Sequence, residues 1–326
     1  MVAGWALGLL LGYASAAGGM EAGQDPLYRH ARAAVAEILV DGHHSGSGCF
    51  VCKDGRVITA AHVVGRPDRK VEVLASDGAR LPARVQAVDL GHDLLLLQVP
   101  PHPEGYSYLA LASRVPPPGT SVLICSTAAY RRALLQPGMI ARGDTTFEHQ
   151  QHFVQVTQIA ALVQEGTSGG AWIDLQGKVI GIQSGSVTVK GTPAGIANVA
   201  PVTAVSRLLE SGTNAATPTI GVFVDELWLL SPERLRRYPP GTEGVIVQSL
   251  STGGPAERAG LAAGDVIVTC NGGAVRFRDD FIRQIRSREP GERIEVTVLR
   301  PDDAGTHEIA IELGRLEESW PAACSD

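Results

Sequence analysis

The stretch EGTSGGAWIDLQGKVIGI, Glu165–Ile182, places one serine among three glycines directly before a run with the pattern of a β-hairpin. Glycine and serine are common in any tight turn, because glycine adopts positive φ without steric cost and serine can bond its own backbone. A serine becomes a nucleophile at neutral pH only when a neighbouring group removes its proton. The stretch therefore predicts either a plain turn or a nucleophile loop.

Two segments N-terminal to this stretch carry the partners that a serine nucleophile needs. His62 directly follows a short apolar run in VITAAHVV, and Asp93 directly precedes a continuous apolar run in HDLLLLQV. A lone histidine or aspartate at such a place is more often a hydrogen-bonded structural residue. The order His62, Asp93, Ser168, each at the end of a predicted strand, instead predicts a base, an orienting acid and a nucleophile.

Composition narrows the class of protein. The chain has 326 residues, of which 44% are hydrophobic and 19% charged, as in a globular protein with room for two domains. The 38 glycines and the 5% of aromatic residues favour a turn-rich β architecture over helical bundles. A net charge of −6 gives no basic field, so we expect protein or peptide partners and no nucleic acid.

The region from about residue 35 to 205 predicts short strands separated by turns. In KVEVLASDGARLPARVQAVD, apolar residues alternate on both sides of Asp77-Gly78, which predicts a hairpin. Strands at this spacing predict paired barrels or a sandwich. A short helix over 202–209 closes the unit, and the polar segment ESGTNAATPT follows as a linker. The remaining chain predicts one small α+β domain, whose helix presents Phe281, Ile282 and Ile285 on one face.

The amino terminus predicts export. Its first twenty residues carry no charged side chain and contain an apolar run, Trp5 to Tyr13, followed by Ala14-Ser15-Ala16. This pattern is typical of a secretory signal peptide, although no Lys or Arg precedes the apolar run. We expect residues 1–25 to be a cleaved signal peptide or an anchor with a membrane tether through residues 5–17. The expected location is the periplasm or cell envelope.

Cys49 and Cys52 form a C-x-x-C pair, which raises a metal or redox site as an alternative function. In an extended strand, residues three apart lie on opposite faces at about 10 Å, beyond disulfide reach. The sequence holds no second C-x-x-C or histidine pair with ligand spacing to complete a zinc site. We therefore expect Cys49, Cys52, Cys125 and Cys270 to be small buried hydrophobic residues, and we expect neither metal nor cofactor.

Together these motifs resemble the HtrA/Deg family of chymotrypsin-like serine proteases. SGSGCFVCKDGRVITAAHVV, residues 45–64, is similar to the segment before that family's catalytic histidine, and HDLLLLQV is similar to its aspartate strand. EGTSGGAWIDLQGKVIGI resembles its nucleophile loop, and GIANVAP resembles the strand beside its substrate pocket. The segments TIGV, residues 219–222, and GGPAERAGLAAGDVIVTCNG resemble its PDZ domain.

The resemblance implies a mainly β fold, a chymotrypsin-like double β-barrel followed by a small α+β PDZ domain. It divides the chain into a protease domain over 26–210, a linker over 211–218, a PDZ domain over 219–316 and a tail over 317–326. It also implies a serine endopeptidase acting on unfolded or misfolded proteins, with a homotrimer built around Leu27 and Tyr28.

The resemblance assigns roles in the active site. His62, Asp93 and Ser168 are its catalytic residues, and Gly166, Thr167 and Ser168 form the oxyanion hole, with the N–H groups of Gly166 and Ser168 as donors. Leu162, six residues before Ser168, takes the bottom of the S1 pocket. An apolar residue there, in place of an acid, favours small or medium aliphatic P1 residues.

Two departures from the family pattern concern the nucleophile loop. Thr167 replaces the usual asparagine, and the approach TQIAALVQEGTSGG is longer than usual by about two residues. A loop that never forms an oxyanion hole would leave an inactive peptide-binding scaffold or chaperone with the same fold, which is the alternative function.

In the PDZ domain, the resemblance assigns the carboxylate-binding loop to Ile220, Gly221 and Val222. Val222 and Val224 then lie on the groove strand, and the helix that bears Ile282 lies opposite. Such a groove binds a peptide as an added strand and holds its C-terminal carboxylate with backbone amides. The alternative is a packing domain with a closed groove.

Overall fold

The computed structural model describes residues 25–128, 133–149, 152–303 and 305–316. Two closed β-barrels are followed by a smaller sheet. Most of the predicted leader, residues 1–24, and the predicted tail, residues 317–326, lie outside the described residues. Among the described residues, no helix has both the length and the apolar character that crossing a membrane requires.

The first barrel closes in the order β1-β2-β3-β6-β5-β4. Its strands are β1 (Val35–Val40), β2 (His43–Phe50), β3 (Arg56–Ala60), β4 (Val71–Leu74), β5 (Arg80–Asp89) and β6 (Leu94–Gln98). The predicted hairpin at Asp77-Gly78 is confirmed, because Val71 pairs with Ala83 and Val73 with Leu81.

Strand β6 is apolar on both faces because it separates two cores. Leu95 and Leu97 lie in the core of the first barrel, whereas Leu94 and Leu96 belong to a second cluster that includes residues of both barrels. All four are fully buried. The continuous leucine run therefore joins the two barrels.

The second barrel closes in the order β10-β11-β12-β9-β8-β7 around a core that includes the fully buried Trp172. Its strands are β7 (Ser121–Ser126), β8 (Leu134–His149), β9 (His152–Ala160), β10 (Ala171–Ile173), β11 (Val179–Val189) and β12 (Thr192–Pro201). Helix α1 (Pro26–Ala34) precedes the first barrel, α2 (Ala61–Val64) follows β3, and α3 (Val202–Ser211) ends the second barrel. The long strand β8 makes the β8–β9 hairpin the most extended one in the described barrels.

The last unit is a sheet in the order β14-β15-β16-β18-β19, with β14 at one edge. Its elements are β14 (Val222–Glu226), a 3-10 turn (Leu227–Leu229), α4 (Pro232–Leu235), β15 (Val245–Leu250), α5 (Pro255–Arg258), β16 (Val266–Cys270), β17 (Gly273–Ala274), α6 (Arg278–Arg286), β18 (Arg293–Leu299) and β19 (Thr306–Glu312). Strands β13 (Pro218–Thr219) and β20 (Gly314–Arg315) pair and close the unit. Phe281, Ile282 and Ile285 of α6 are buried, as their helical spacing predicts.

The described cysteines are free thiols. Cys49, Cys125 and Cys270 are buried, and burial raises the pKa of Cys125 to about 12. Cys52 is only half-buried, so the prediction that it is a buried residue is wrong: β2 ends at Phe50, and Cys52 lies in the turn beyond it. The described ranges contain no cluster of three or more His, Cys, Asp or Glu side chains that could hold a metal ion.

Candidate active site

The pairing of β3 with β6 brings His62 and Asp93 together. Ala60 pairs with Leu94, so the residues just beyond these strand ends become neighbours. His62 Nδ1 lies 2.7 Å from Asp93 Oδ2, and the His62 backbone N–H donates to Asp93 Oδ1 at 3.0 Å. The carboxylate therefore fixes both the ring and the backbone of the histidine.

Asp93 lies in strained backbone geometry. Its φ is 54°, in the left-handed region that most residues other than glycine avoid. Its carbonyl oxygen accepts a hydrogen bond from Ala61 N at 3.0 Å, which helps to hold the turn. Such strain costs on the order of 1–3 kcal/mol and is concentrated at functional sites.

Burial disfavours the charged form of both residues, because His62 is only 7% exposed and Asp93 only 1%. Burial alone would lower the pKa of His62, but the charge and hydrogen bond of Asp93 outweigh it and raise that pKa. Burial alone would raise the pKa of Asp93, but His62 and the hydroxyl of Ser184 hold it below its ordinary value. The geometry thus favours an ionised carboxylate beside an imidazole whose pKa is raised.

Ser184 on β11 connects this pair to Ser168, and sequence reasoning missed it. Its Oγ donates to Asp93 Oδ2 at 2.5 Å, while its carbonyl oxygen accepts from Ser168 Oγ at 3.1 Å. The only signal in the sequence is a serine two residues after the apolar run VIGI, which is too common a pattern to single out. The site therefore has a fourth polar residue, contributed by a strand that follows the nucleophile loop.

The nucleophile loop is held from both sides. The Ser168 carbonyl oxygen accepts from Ser47 N at 2.8 Å, and Gly169 N donates to Gln183 O at 2.7 Å. Gly169 has φ +82°, and a Cβ there would overlap the Ser47 carbonyl oxygen and the Thr59 hydroxyl. The second glycine of GTSGG is thus required by both conformation and space.

The loop leaves two backbone amides beside the serine. Thr167 N donates to Gln164 O at 3.2 Å across a turn whose third residue, Gly166, has φ +82°, which is type II geometry. Among the described residues, neither Gly166 N nor Ser168 N has a hydrogen-bond acceptor. The Thr167 N–H already donates to Gln164 O within the turn, so it is not free to bind an oxyanion. The prediction that Thr167 belongs to the oxyanion hole is therefore corrected: Thr167 stabilises the turn.

The Thr167 side chain also supports the turn. It is 2% exposed, and its Oγ1 donates to Gln164 O at 2.6 Å. From the first barrel, Ser47 Oγ donates to Gly166 O at 2.8 Å and thereby holds the peptide bond between Gly166 and Thr167. A threonine in place of the family's asparagine is therefore compatible with an ordered loop.

Leu162 does not lie at the bottom of a pocket, and this prediction has to be corrected. Its side chain is 62% exposed. Its neighbours Ala161 and Val163 pack against the core of the second barrel, so alternation along the chain turns Leu162 outward. Counting six residues back from Ser168 failed because the approach to the loop is longer than usual.

The predicted carboxylate-binding loop lies before the edge strand β14. Ile220 is buried, and its carbonyl oxygen accepts from Ala256 N at 3.0 Å. Gly221 has φ +69°, and its N–H donates to Thr219 Oγ1 at 3.1 Å. Val222 begins β14 and pairs with Leu250. Hydrogen bonds therefore hold this loop in one conformation at the start of β14, where the predicted peptide groove begins.

The β8–β9 hairpin of the second barrel packs on the edge strand and on α6. Phe153 of β9 is 3% exposed and belongs to the core cluster of the last unit. Its ring lies 6.1 Å from the ring of Phe223, and the Arg278 guanidinium lies 5.4 Å from its centroid. Arg286 Nη2 also donates to the Phe153 carbonyl oxygen at 2.8 Å. A residue of the barrel thus packs along the predicted peptide groove.

Asp279 at the start of α6 anchors the same hairpin. Its carboxylate accepts from Thr146 N at 3.1 Å, from Thr146 Oγ1 at 2.7 Å and from Thr145 Oγ1 at 3.1 Å. Arg142 Nη2 adds an ion pair at 2.7 Å. One buried carboxylate therefore ties α6 to β8.

Two family models match the chain. The trypsin-like peptidase domain matches residues 46–182, and the PDZ domain matches residues 218–313. The "Probable periplasmic serine endoprotease DegP-like" of Brucella suis biovar 1 is 30% identical over 273 residues, covering 82% of this chain and 52% of that protein. The "Serine protease Do-like HtrA" of Lactococcus lactis subsp. lactis is 28% identical over 301 residues, covering 85% and 73%.

The chain spans about half the length of the DegP-like relatives that it matches. Among solved structures, the HtrA-type protease AlgW with a decapeptide has a TM-score of 0.65 at 23% identity, over 89% of this chain and 97% of that one. The serine endoprotease from Yersinia pestis has a TM-score of 0.63 at 22% identity, over 89% and 97%. These likenesses confirm the predicted fold, a chymotrypsin-like double barrel followed by a PDZ domain. By its two matched domains, their order and its relatives, the chain belongs to the HtrA/Deg family of serine proteases.

Proposed function

We propose that this protein is a serine endopeptidase that cleaves unfolded or misfolded proteins. The observation that carries the proposal is the buried His62–Asp93 pair beside a loop that holds Ser168 between ordered backbone contacts. Ser168 Oγ attacks the peptide carbonyl while His62 Nε2 accepts its proton and later returns it to the leaving amine. Asp93 stays ionised, orients the ring and stabilises the imidazolium.

The oxyanion that forms during attack accepts hydrogen bonds from Gly166 N and Ser168 N. Each such donor contributes on the order of 3 kcal/mol in related sites. The Ser168 hydroxyl, which donates to Ser184 O in the structure, turns to His62 Nε2 when a substrate is bound.

We propose further that the PDZ domain binds the C-termini of substrates and thereby regulates the protease. A peptide added to β14 would take the space along α6 in which Phe153 now packs. Phe153 belongs to β9, which ends at Ala160, shortly before the turn at Gly166. Peptide binding would therefore displace a strand that leads directly into the nucleophile loop.

We infer export to the periplasm from the leader motif and from relatives named as periplasmic. Residues 1–25 are then the signal peptide or tether, 26–210 the protease domain, 211–218 the linker and 219–316 the PDZ domain. A homotrimer built around α1 is the proposed assembly. In the described chain, Leu27 packs on the core between the barrels, and Tyr28 Oη donates to Ala133 O at 3.0 Å.

The proposed activity is tested with a fluorophosphonate probe and unfolded casein, comparing the wild type with Ser168→Ala. Labelling and cleavage that both vanish in the variant support the protease. Absence of both signals in the wild type, even with C-terminal peptides present, would favour the inactive peptide-binding scaffold or chaperone. Cleavage that persists in Ser168→Ala would point to another nucleophile.

A further inference from the structure

A cavity of about 250 Å³ lies between the two domains. It is bordered by α3 of the protease domain, by the linker and by the C-terminal end of α6. Three arginines line it: Arg207 on α3, Arg286 as the last residue of α6, and Arg288 just beyond that helix. No step of the proposed catalysis uses this cavity.

Arg286 has an unused donor at this cavity. Its Nη2 donates to the Phe153 carbonyl oxygen, but its Nη1 is inaccessible to solvent and has no hydrogen-bond partner among the described residues. Within those residues it forms no ion pair at 4.0 Å or less. Burial lowers the pKa of Arg286 to about 10, against the influence of Asp89, yet the group stays charged at neutral pH. A buried guanidinium N–H without an acceptor is unfavourable, so the Nη1 side of Arg286 favours an anion.

The two other arginines strengthen this preference. Arg288 Nε is also buried without a partner in the described chain, although Arg288 Nη1 pairs with Glu292 at 3.2 Å. Arg207 is exposed, lines the cavity and makes no hydrogen bond with any described residue. Guanidinium groups recognise phosphate oxygens through paired N–H donors.

Two carboxylates, Asp89 and Glu289, also line the cavity. Asp89 is already engaged by His92, whose Nδ1 lies 2.9 Å from Oδ2 and whose backbone N–H donates to Oδ1 at 3.2 Å. Three arginines thus line the cavity together with two carboxylates, and Glu292, which pairs with Arg288, is a third carboxylate nearby. Hydroxyl groups of the linker, on Ser211, Thr213 and Thr217, add neutral polar groups to the lining.

We propose that this cavity binds a phosphate group, held by Arg286 and Arg288 of the PDZ domain and by Arg207 of the protease domain. The ligand is inorganic phosphate or the phosphate of a small monoester. Because the three arginines come from both sides of the linker, a bound phosphate links α3 to α6 and stabilises one arrangement of the two domains.

The test is isothermal titration calorimetry of the full chain with inorganic phosphate and, separately, with glycerol phosphate, at constant ionic strength. We expect saturable binding of at least one of them, and the ligand that binds identifies the source. Arg207→Gln replaces an exposed side chain and should weaken phosphate binding at least tenfold. Arg283→Gln, on the exposed face of α6, is the control and should leave phosphate binding unchanged.

Arg286→Gln should abolish binding, with circular dichroism and the melting temperature showing that the variant is folded. Phosphate should also raise the melting temperature of the wild type above that in sodium chloride of equal ionic strength. The proposal is overturned if neither ligand binds the wild type, or if Arg207→Gln binds as tightly as Arg283→Gln.

Discussion

At the scale of single residues, the chemistry depends on how Asp93 is held. Its carboxylate receives hydrogen bonds from the His62 ring, the His62 backbone and the Ser184 hydroxyl. These contacts keep the acid ionised in a buried place and give the imidazole one orientation. The basicity of His62 thus depends on a neighbour 31 positions away in sequence.

This arrangement predicts the pH dependence of cleavage. His62 accepts a proton only when it is neutral, and Asp93 raises its pKa above the ordinary value of 6.5. We expect kcat/KM to fall as pH decreases through a value above 6.5. Asp93→Asn should move this limb to lower pH and reduce kcat by roughly ten-thousandfold, as in comparable triads. A wild-type profile that stays flat down to pH values well below 6.5 would contradict the assignment.

A second prediction at this scale concerns Gly169. Gly169→Ala adds a methyl group against the Ser47 carbonyl oxygen at a positive φ, so we expect severe destabilisation of the loop and loss of fluorophosphonate labelling. Gly191→Ala is the matched control, because Gly191 has φ +76° but nothing within 4 Å of the added Cβ. The control should cost about 1 kcal/mol in urea unfolding and keep its labelling. Equal effects of the two changes would show that close packing at Gly169 is unimportant.

At the scale of elements, the β8–β9 hairpin links the PDZ groove to the nucleophile loop. Its Phe153 packs in the core cluster of the PDZ domain, and its Thr145 and Thr146 bind Asp279 of α6. A single hairpin therefore contacts the proposed peptide site at one end and continues toward Ser168 at the other.

Weakening the contact between Asp279 and the β8–β9 hairpin should make the PDZ groove easier for a peptide to occupy. Asp279→Asn removes the negative charge that pairs with Arg142 and that accepts the hydrogen bonds of the threonines. The hairpin is then held less firmly on α6, so we expect a hydrophobic C-terminal peptide to bind the groove several-fold more tightly. Fluorescence anisotropy measures this affinity. Asp280→Asn is the control, because Asp280 pairs with the exposed Arg283 and, among the described residues, forms no hydrogen bond or ion pair with the hairpin. Unchanged or weaker binding by Asp279→Asn would argue against competition between hairpin and peptide.

At the scale of the whole molecule, strand and turn patterns predict paired barrels or a sandwich followed by a small α+β domain, and the resemblance to the HtrA/Deg family narrows this to a double barrel followed by a PDZ domain. The end of one apolar run locates His62, the start of another locates Asp93, and turn glycines locate the loop of Ser168. Contacts made across long sequence distances escaped prediction. Ser184, Phe153 and the cavity arginines carry no local signal, since their partners are set by how the barrels and the PDZ domain pack.

Leu162 and Cys52 were mispredicted for related reasons. For Leu162, counting a fixed number of residues back from Ser168 fails because the loop is longer, and the side chain is exposed. For Cys52, the prediction assumes that the strand continues past Phe50, where β2 in fact ends. Both errors are shifts of a few residues in loops, where periodicity gives no guidance.

The central claim is that Ser168 is a nucleophile activated by His62. Its most direct test is peptide mapping by mass spectrometry after reaction with a fluorophosphonate, for the wild type and for His62→Ala. We predict one adduct in the wild type, on Ser168, and its loss in His62→Ala while the fold is retained by circular dichroism. An adduct on another residue, or labelling of Ser168 at an unchanged rate in His62→Ala, would contradict the claim.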